Sequence, residues 1–152
     1  MVALTGLLQR RYGLAKPPLS INGDVAGPLR LQRVNRFQAR SGFDVMLLSP
    51  RAGGVGLTLT AANHVIHLSR WWNPAVEDQC TDRAFRIGQV NTVTVHYPLA
   101  RHPQFDQYSF DLRLDEVLVA RRVLSKEVLA PTAFSRDDVK RLFRETVEQR
   151  GP

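Results

Sequence analysis

Between residues 2 and 12 the apolar positions Leu4, Leu7, Leu8 and Tyr12 recur at helical spacing and stop at Gly13, which predicts a helix over residues 2–12. Pro17-Pro18 breaks the chain, residues 19–21 predict a short strand, and Asn22-Gly23-Asp24 predicts a turn. Pro28 then opens a second helix to about Gln38, with Leu31, Val34 and Phe37 on its buried face and Arg30, Arg33, Arg36 and Arg40 largely on others. Residues 43–48 are a nearly unbroken apolar run, the pattern of a strand buried on both faces in a parallel sheet. Glycines follow, then a short segment over 57–62 and a second apolar run over 64–68, read as another strand. Asn73-Pro74 supplies an N-cap and first-turn pair for a helix from about Ala75 to Ile87, which Gly88 stops. Residues 92–99, β-branched and alternating, predict a third strand.

Strands alternating with helices imply an α/β fold whose parallel sheet is flanked by helices. Beyond it, residues 110–129 read as a long amphipathic helix with Phe110, Leu114, Val117, Leu118, Leu124 and Val128 on one side. An S-x-x-D cap at Ser135 and Asp138 opens a last helix to Gln149, burying Val139, Leu142, Phe143 and Val147. The organisation expected is therefore one α/β domain over residues 1–100 and a C-terminal helical extension over 101–152. A chain of 152 residues is long enough for one such core and short for two.

Composition narrows the classes. Hydrophobic residues at 43% and charged residues at 23% exclude wholesale disorder. A formal net charge of +7, carried almost entirely by arginine, points to an anionic partner, nucleic acid ahead of a membrane surface. Arginine abundance alone fits a GC-rich coding sequence equally well. The single cysteine, Cys80, excludes a disulfide framework within the chain and a multi-cysteine zinc site, and its place on an apolar stripe reads as a small core residue. The short N-terminal apolar run has Arg10 and Arg11 after it, not before it, so no signal peptide is indicated, and no stretch approaches transmembrane length. A reducing cytoplasm is the expected location. His64 and His67, at odd strand spacing, point to opposite faces and do not read as metal ligands.

Three constellations carry candidate chemistry. On the helix predicted over 75–87, Gln79, Arg83 and Arg86 fall at i, i+4 and i+7 and share a polar face, while Val76, Cys80, Ala84 and Ile87 form the opposing apolar stripe. Two guanidiniums and an amide on one rigid element suit stabilisation of a transferring phosphoryl group, which is mostly positioning and electrostatics. A merely solvated basic face has the same spacing. Next, Gly53-Gly54-Val55-Gly56 sits directly after a predicted strand, where ligands of open α/β sheets bind. Glycines there admit close approach of backbone N–H groups to phosphate, with Ser49 and Arg51 as polar handles. A tight turn accounts for the same glycines, and no P-loop occurs anywhere. Finally, Arg70-Trp71-Trp72-Asn73-Pro74 joins a strand to a helix. An exposed indole beside Arg70 suits stacking on, or phosphate contact with, nucleic acid; one tryptophan in the core and one covering a loop is the alternative.

Taken together, residues 49–57, Trp72-Asn73-Pro74 and the run from Gln79 to Gln89, ending Arg-Ile-Gly-Gln, resemble the last motifs of the SNF2-type ATPases of helicase superfamily 2. Asn22-Gly23 with Arg30 and Phe37 resembles an earlier motif of the same lobe. The resemblance runs from about Val2 to Ala100 and differs from the family pattern at Pro50, Thr58, Arg70-Trp71 and Phe85.

The resemblance implies a RecA-like second helicase lobe, whose opening strand is expected before Val2. Arg83 and Arg86 would be arginine fingers, with Gln79 and Asp82 organising the cleft. Gly53, Gly54 and Gly56 would meet the nucleotide or link it to DNA, and Trp72 and Arg51 would face duplex DNA; Ser49 and Arg70, read from the residues alone, are the further candidate nucleic-acid contacts. ATP is the implied cofactor, its Mg2+ bound mainly by a first RecA-like lobe that supplies the phosphate-binding lysine and is expected on another polypeptide or in upstream sequence. The chain alone is then expected to be inactive as an ATPase. Two other functions stay open at this point: a non-catalytic nucleic-acid-binding module, and a truncated remnant of such a motor.

Overall fold

The computed structural model describes residues 1–50 and 56–127, with Asp137, Lys140 and Arg144. Of the last predicted helix, over 135–149, only Asp137, Lys140 and Arg144 are described, so its predicted buried residues Val139, Leu142, Phe143 and Val147 lie outside the described residues, as do Arg51, Gly53 and Gly54. Contacts divide the chain into two interleaved units, Met1–Val65 with Gln79–Thr94, and Ile66–Asp78 with Val95–Pro152.

The first unit begins with α1 (Val2–Tyr12), ended by Gly13 at φ 60, the left-handed conformation that costs glycine nothing. Strand β1 (Leu19–Ile21), helix α2 (Gly27–Gln38) and strand β2 (Met46–Leu48) follow. Parallel strands need a crossover connection, and α2 provides it: β1 and β2 pair in parallel with Leu19 opposite Met46 and Ile21 opposite Leu48. The Ser49 N–H continues the ladder by donating to the Ile21 carbonyl at 2.9 Å. Ile21, Val34, Phe37 and Leu59 form the core of this unit, covered by Leu19, Met46, Leu48, Leu57 and Ala62. Each such side chain taken fully out of water stabilises the fold by about 1.5–3 kcal/mol.

Two expectations need correcting here. Leu31 lies on the outer side of α2 at 59% exposure, so only Val34 and Phe37 of the predicted face are buried. The run over 43–48 yields a strand of three half-buried residues, with Phe43 exposed and ring-paired to Tyr12 at 5.2 Å. The arginines of α2 are drawn into local structure. Arg30 donates to the Val25 carbonyl at 2.5 Å and to that of Gly23 at 3.2 Å, Arg33 to the Ser20 carbonyl, and Arg40 pairs with Asp44 at 2.5 Å.

Strands β3 (His64–Ile66) and β4 (Thr94–His96) pair as a second two-stranded sheet. The Thr94 N–H donates to the Asn63 carbonyl at 2.9 Å and the His67 N–H to the His96 carbonyl at 3.0 Å. Both bonds advance in the same chain direction, so this pair is parallel too. Helix α3 (Pro74–Thr81) opens where Asn73 caps it, its Oδ1 accepting from the Ala75 N–H at 3.0 Å.

In the second unit, helix α4 (Phe110–Glu127) matches the long amphipathic helix predicted. Among its described side chains Leu114 and Leu118 are buried, packed by Phe110, Val117 and Trp72. Of the residues predicted on that face, Leu124 and Val128 carry no described side chain.

Candidate functional site

The helix predicted to carry Arg83 and Arg86 stops short of both. After Thr81 the chain enters a series of turns, with the N–H groups of Ala84 and Phe85 both donating to the Thr81 carbonyl, at 2.9 and 3.0 Å. Two carbonyls that a helix continued past Ile87 would use are taken by other partners. A continuing helix would use the carbonyls of Arg83 and Ala84 for the amides of residues 87 and 88. Here the Arg83 carbonyl accepts from the Leu59 N–H at 2.7 Å, and the Ala84 carbonyl accepts from Gln89 Nε2 at 3.1 Å.

The predicted faces rearrange as a result. Arg83 is 4% exposed and Ala84 3%, while Ile87 of the expected apolar stripe is 99% exposed. The two guanidiniums nonetheless converge on one place. Arg83 Nη2 donates to the Pro50 carbonyl at 3.3 Å and Arg86 Nη1 to the Gly56 carbonyl at 3.2 Å. They therefore hold both flanks of the segment that contains Gly53 and Gly54. An open cleft of about 700 Å³ lies here, lined by Gly56, Gln79, Asp82, Arg83, Phe85 and Arg86 among others. Two guanidiniums, an amide and a carboxylate on one concave surface form a setting in which an anionic ligand meets fixed positive charge.

Arg70 and Trp72 occupy a different setting, within the second unit. Arg70, expected to contact phosphate, has its guanidinium buried with a side-chain exposure of 3%. Its Nε donates to Glu77 Oε1 at 3.0 Å, its Nη2 to Glu77 Oε2 at 3.3 Å, and its Nη1 to Asp115. Glu77 is fully buried and also accepts from the Trp71 N–H at 2.8 Å and from Arg122 Nη2 at 2.6 Å. Burial pushes the Glu77 carboxyl up, but its bonds to Arg70, the Trp71 amide and Arg122 outweigh this and hold it below the usual value. Arg122 bonds Asp78 at 3.2 Å as well. The Tyr97 ring lies under both guanidiniums, 4.5 Å from Arg70 and 5.3 Å from Arg122, and stacks on His67 at 5.0 Å. Burial lowers the His67 pKa. Trp72 is half-buried, edge-on to Phe110 at 5.9 Å.

Glu77, Arg122 and Gln89 were given no role by the sequence reading. Arg122 meets Glu77 across 45 positions, a separation with no local signature. For Gln89 the Arg-Ile-Gly-Gln motif was visible, but not what its side chain bonds. Among the described residues no group of three or more His, Cys, Asp or Glu is placed to hold a metal ion, and no helix is long and apolar enough to cross a membrane.

Residues 3–88 match the helicase conserved C-terminal domain. The chain is 43% identical over 130 residues to the Zorya protein ZorD of Escherichia coli O139:H28 (strain E24377A / ETEC), covering 82% of this chain and 12% of that protein. It is 38% identical over 141 residues to YwqA of Bacillus subtilis (strain 168), covering 90% and 14%. The chain thus spans about an eighth of the length of these relatives. Among solved structures, the Sulfolobus solfataricus SWI2/SNF2 ATPase core in complex with dsDNA superposes with a TM-score of 0.61 at 28% identity, over 97% of this chain and 30% of that one. Its fold is that of a RecA-like α/β lobe, and the chain belongs to the helicase conserved C-terminal domain family, as a SNF2-type C-terminal lobe of superfamily 2.

Proposed function

We propose that this chain is the second lobe of an ATP-dependent DNA translocase and supplies Arg83 and Arg86 as arginine fingers to a nucleotide held by a separate first lobe. The observation that carries the proposal is the convergence of both guanidiniums on the flanks of the glycine segment, at carbonyls of Pro50 and Gly56. In phosphoryl transfer the charge that develops on the γ-phosphoryl oxygens is stabilised by fixed cations, and an arginine finger is worth roughly 10³–10⁵ in kcat. Gln79 and Asp82 line the same cleft and are assigned to organising it and coupling it to the DNA track. Gly53, Gly54 and Gly56 are assigned to close approach of the nucleotide. ATP is the proposed nucleotide, and its Mg2+ is assigned to the first lobe.

Ser49, Arg51 and Trp72 are proposed to face the duplex, supported by the 28% identical relative solved with dsDNA. Arg70 is left out, because its guanidinium is held by Glu77 and Asp115. The test joins this chain to a first lobe and measures DNA-stimulated ATP turnover. Arg83→Ala and Arg86→Ala are each expected to abolish stimulation. Undiminished turnover in both variants would remove the finger assignment, and duplex binding that persisted without nucleotide would then favour a binding module.

A further inference from the structure

The turn that carries Arg83 and Arg86 has little apolar anchorage beyond Ala84. Arg83 and Ala84 are buried, but Phe85 is 68% exposed, Ile87 99% and Val90 90%, so packing does not hold its far half. Hydrogen bonds do, and one side chain makes three of them. Both N–H groups of the Gln89 carboxamide are used, Nε2 donating to the Ala62 carbonyl at 2.9 Å and to the Ala84 carbonyl at 3.1 Å. Its Oε1 accepts from the Asn91 N–H at 2.9 Å. The Gln89 N–H also donates to the Arg86 carbonyl at 2.9 Å. Gly88, at φ 97, lets the chain double back so that this side chain reaches Ala84.

We propose that Gln89 is a positioning residue, whose carboxamide locks the turn over 82–91 to the segment over 57–62 and so fixes where Arg83 and Arg86 present their guanidiniums. The near end of the turn is pinned separately, by the Leu59 N–H on the Arg83 carbonyl. Gln89 pins the far end, and Arg86 lies between the two. A carboxamide suits the place because it offers two donors and an acceptor in one plane; a carboxylate would offer none of the donors. The catalytic consequence rests on the finger reading above, whereas the lock itself does not.

Two variants and two readouts test it. Gln89→Met keeps the length and removes every side-chain bond, and Gln89→Glu keeps only the acceptor for Asn91. Hydrogen exchange on the chain should show residues 82–91 losing protection in both, with the strands and helix over 19–48 unchanged. In the protein joined to a first lobe, both should lower kcat on the order of 10²-fold with KM for ATP little changed, the cost of misplacing a catalytic group by about an ångström. Unchanged exchange over 82–91, protection lost equally over 19–48, or wild-type kcat despite a loosened turn would each overturn the positioning role. So would full recovery in Gln89→Glu, which would make the Asn91 contact sufficient. Unaffected turnover in Arg86→Ala would instead sink the finger reading and leave the lock standing on its exchange data.

Discussion

Arg86 Nη1 donates to the Gly56 carbonyl, and a Cβ placed on Gly56 would come within 3.4 Å of that same nitrogen. Glycine at 56 thus leaves room for the guanidinium as well as offering it an acceptor. Alanine there would place a methyl in ordinary van der Waals contact with the guanidinium without displacing it. Gly56→Ala is therefore expected to leave the unfolding free energy within about 0.5 kcal/mol of wild type, while the added methyl in the cleft that Gly56 lines reduces DNA-stimulated turnover in the two-lobe protein several-fold. A thermal melt paired with an ATPase assay checks both halves, and a variant with unaltered turnover would show that the nucleotide does not approach Gly56 closely.

Glu77 is fully buried and bonded by Arg70, Arg122 and the Trp71 amide. Removing Glu77 would leave the buried Arg70 with Asp115 and Arg122 with Asp78, and breaking a buried ion pair in this way costs about 3–5 kcal/mol. Glu77→Ala should therefore be severely destabilising in urea titration. Glu77→Gln, which keeps the shape and an acceptor for Trp71, should cost less. A loss below about 1 kcal/mol for the alanine variant would contradict the network's structural role.

Acidification should weaken the fold in two separate windows. Both His67 and Glu77 have folded pKa values below their ordinary ones of 6.5 and 4.5. In each case the unfolded chain binds the proton more readily, so stability rises with pH across the window. The His67 contribution is complete above 6.5 and is lost as pH falls from there toward the folded value. The Glu77 contribution is complete above 4.5 and is lost below it, as the carboxylate facing Arg70 and Arg122 is protonated. Melting temperature followed against pH should show both declines, and His67→Phe should erase the upper one alone. A flat profile between pH 7 and 5 would be inconsistent with the burial of His67.

Trp72 covers Leu114 and Leu118 and meets Phe110 edge-on. Trp72→Ala should cost about 2–4 kcal/mol, somewhat under the range for a fully buried tryptophan because the indole is half-exposed. Trp72→Phe should recover most of that. Denaturant unfolding of the two variants separates this packing role from any loss of duplex affinity, which salt-dependent binding would read independently. Equal stability of Trp72→Ala and wild type would mean the indole contributes nothing to holding α4.

Local signals in the chain were enough to determine several elements. The helix over Val2–Tyr12 and its end at Gly13, the Asn73-Pro74 start of α3, the parallel pairing implied by β1, α2 and β2, and the long amphipathic α4 all follow from spacing, caps and crossover rules acting within about one turn or one strand. Family membership was legible for the same reason, since it rests on short runs of contiguous residues.

Only the tertiary structure decided how the site is built. Helical periodicity carries the pattern of Gln79, Arg83 and Arg86 well past Thr81, yet the Leu59 amide and the Gln89 carboxamide claim the carbonyls a longer helix needs. The guanidiniums then converge by bonding the flanks of the glycine segment, not by sharing a helix face. Arg70 likewise looks available in sequence, beside two tryptophans, and is buried because Glu77 and Asp115 meet it from 7 and 45 positions away. Spacing reports which side chains a local element aligns; which hydrogen-bonding groups are already occupied by distant partners is settled when the chain closes on itself.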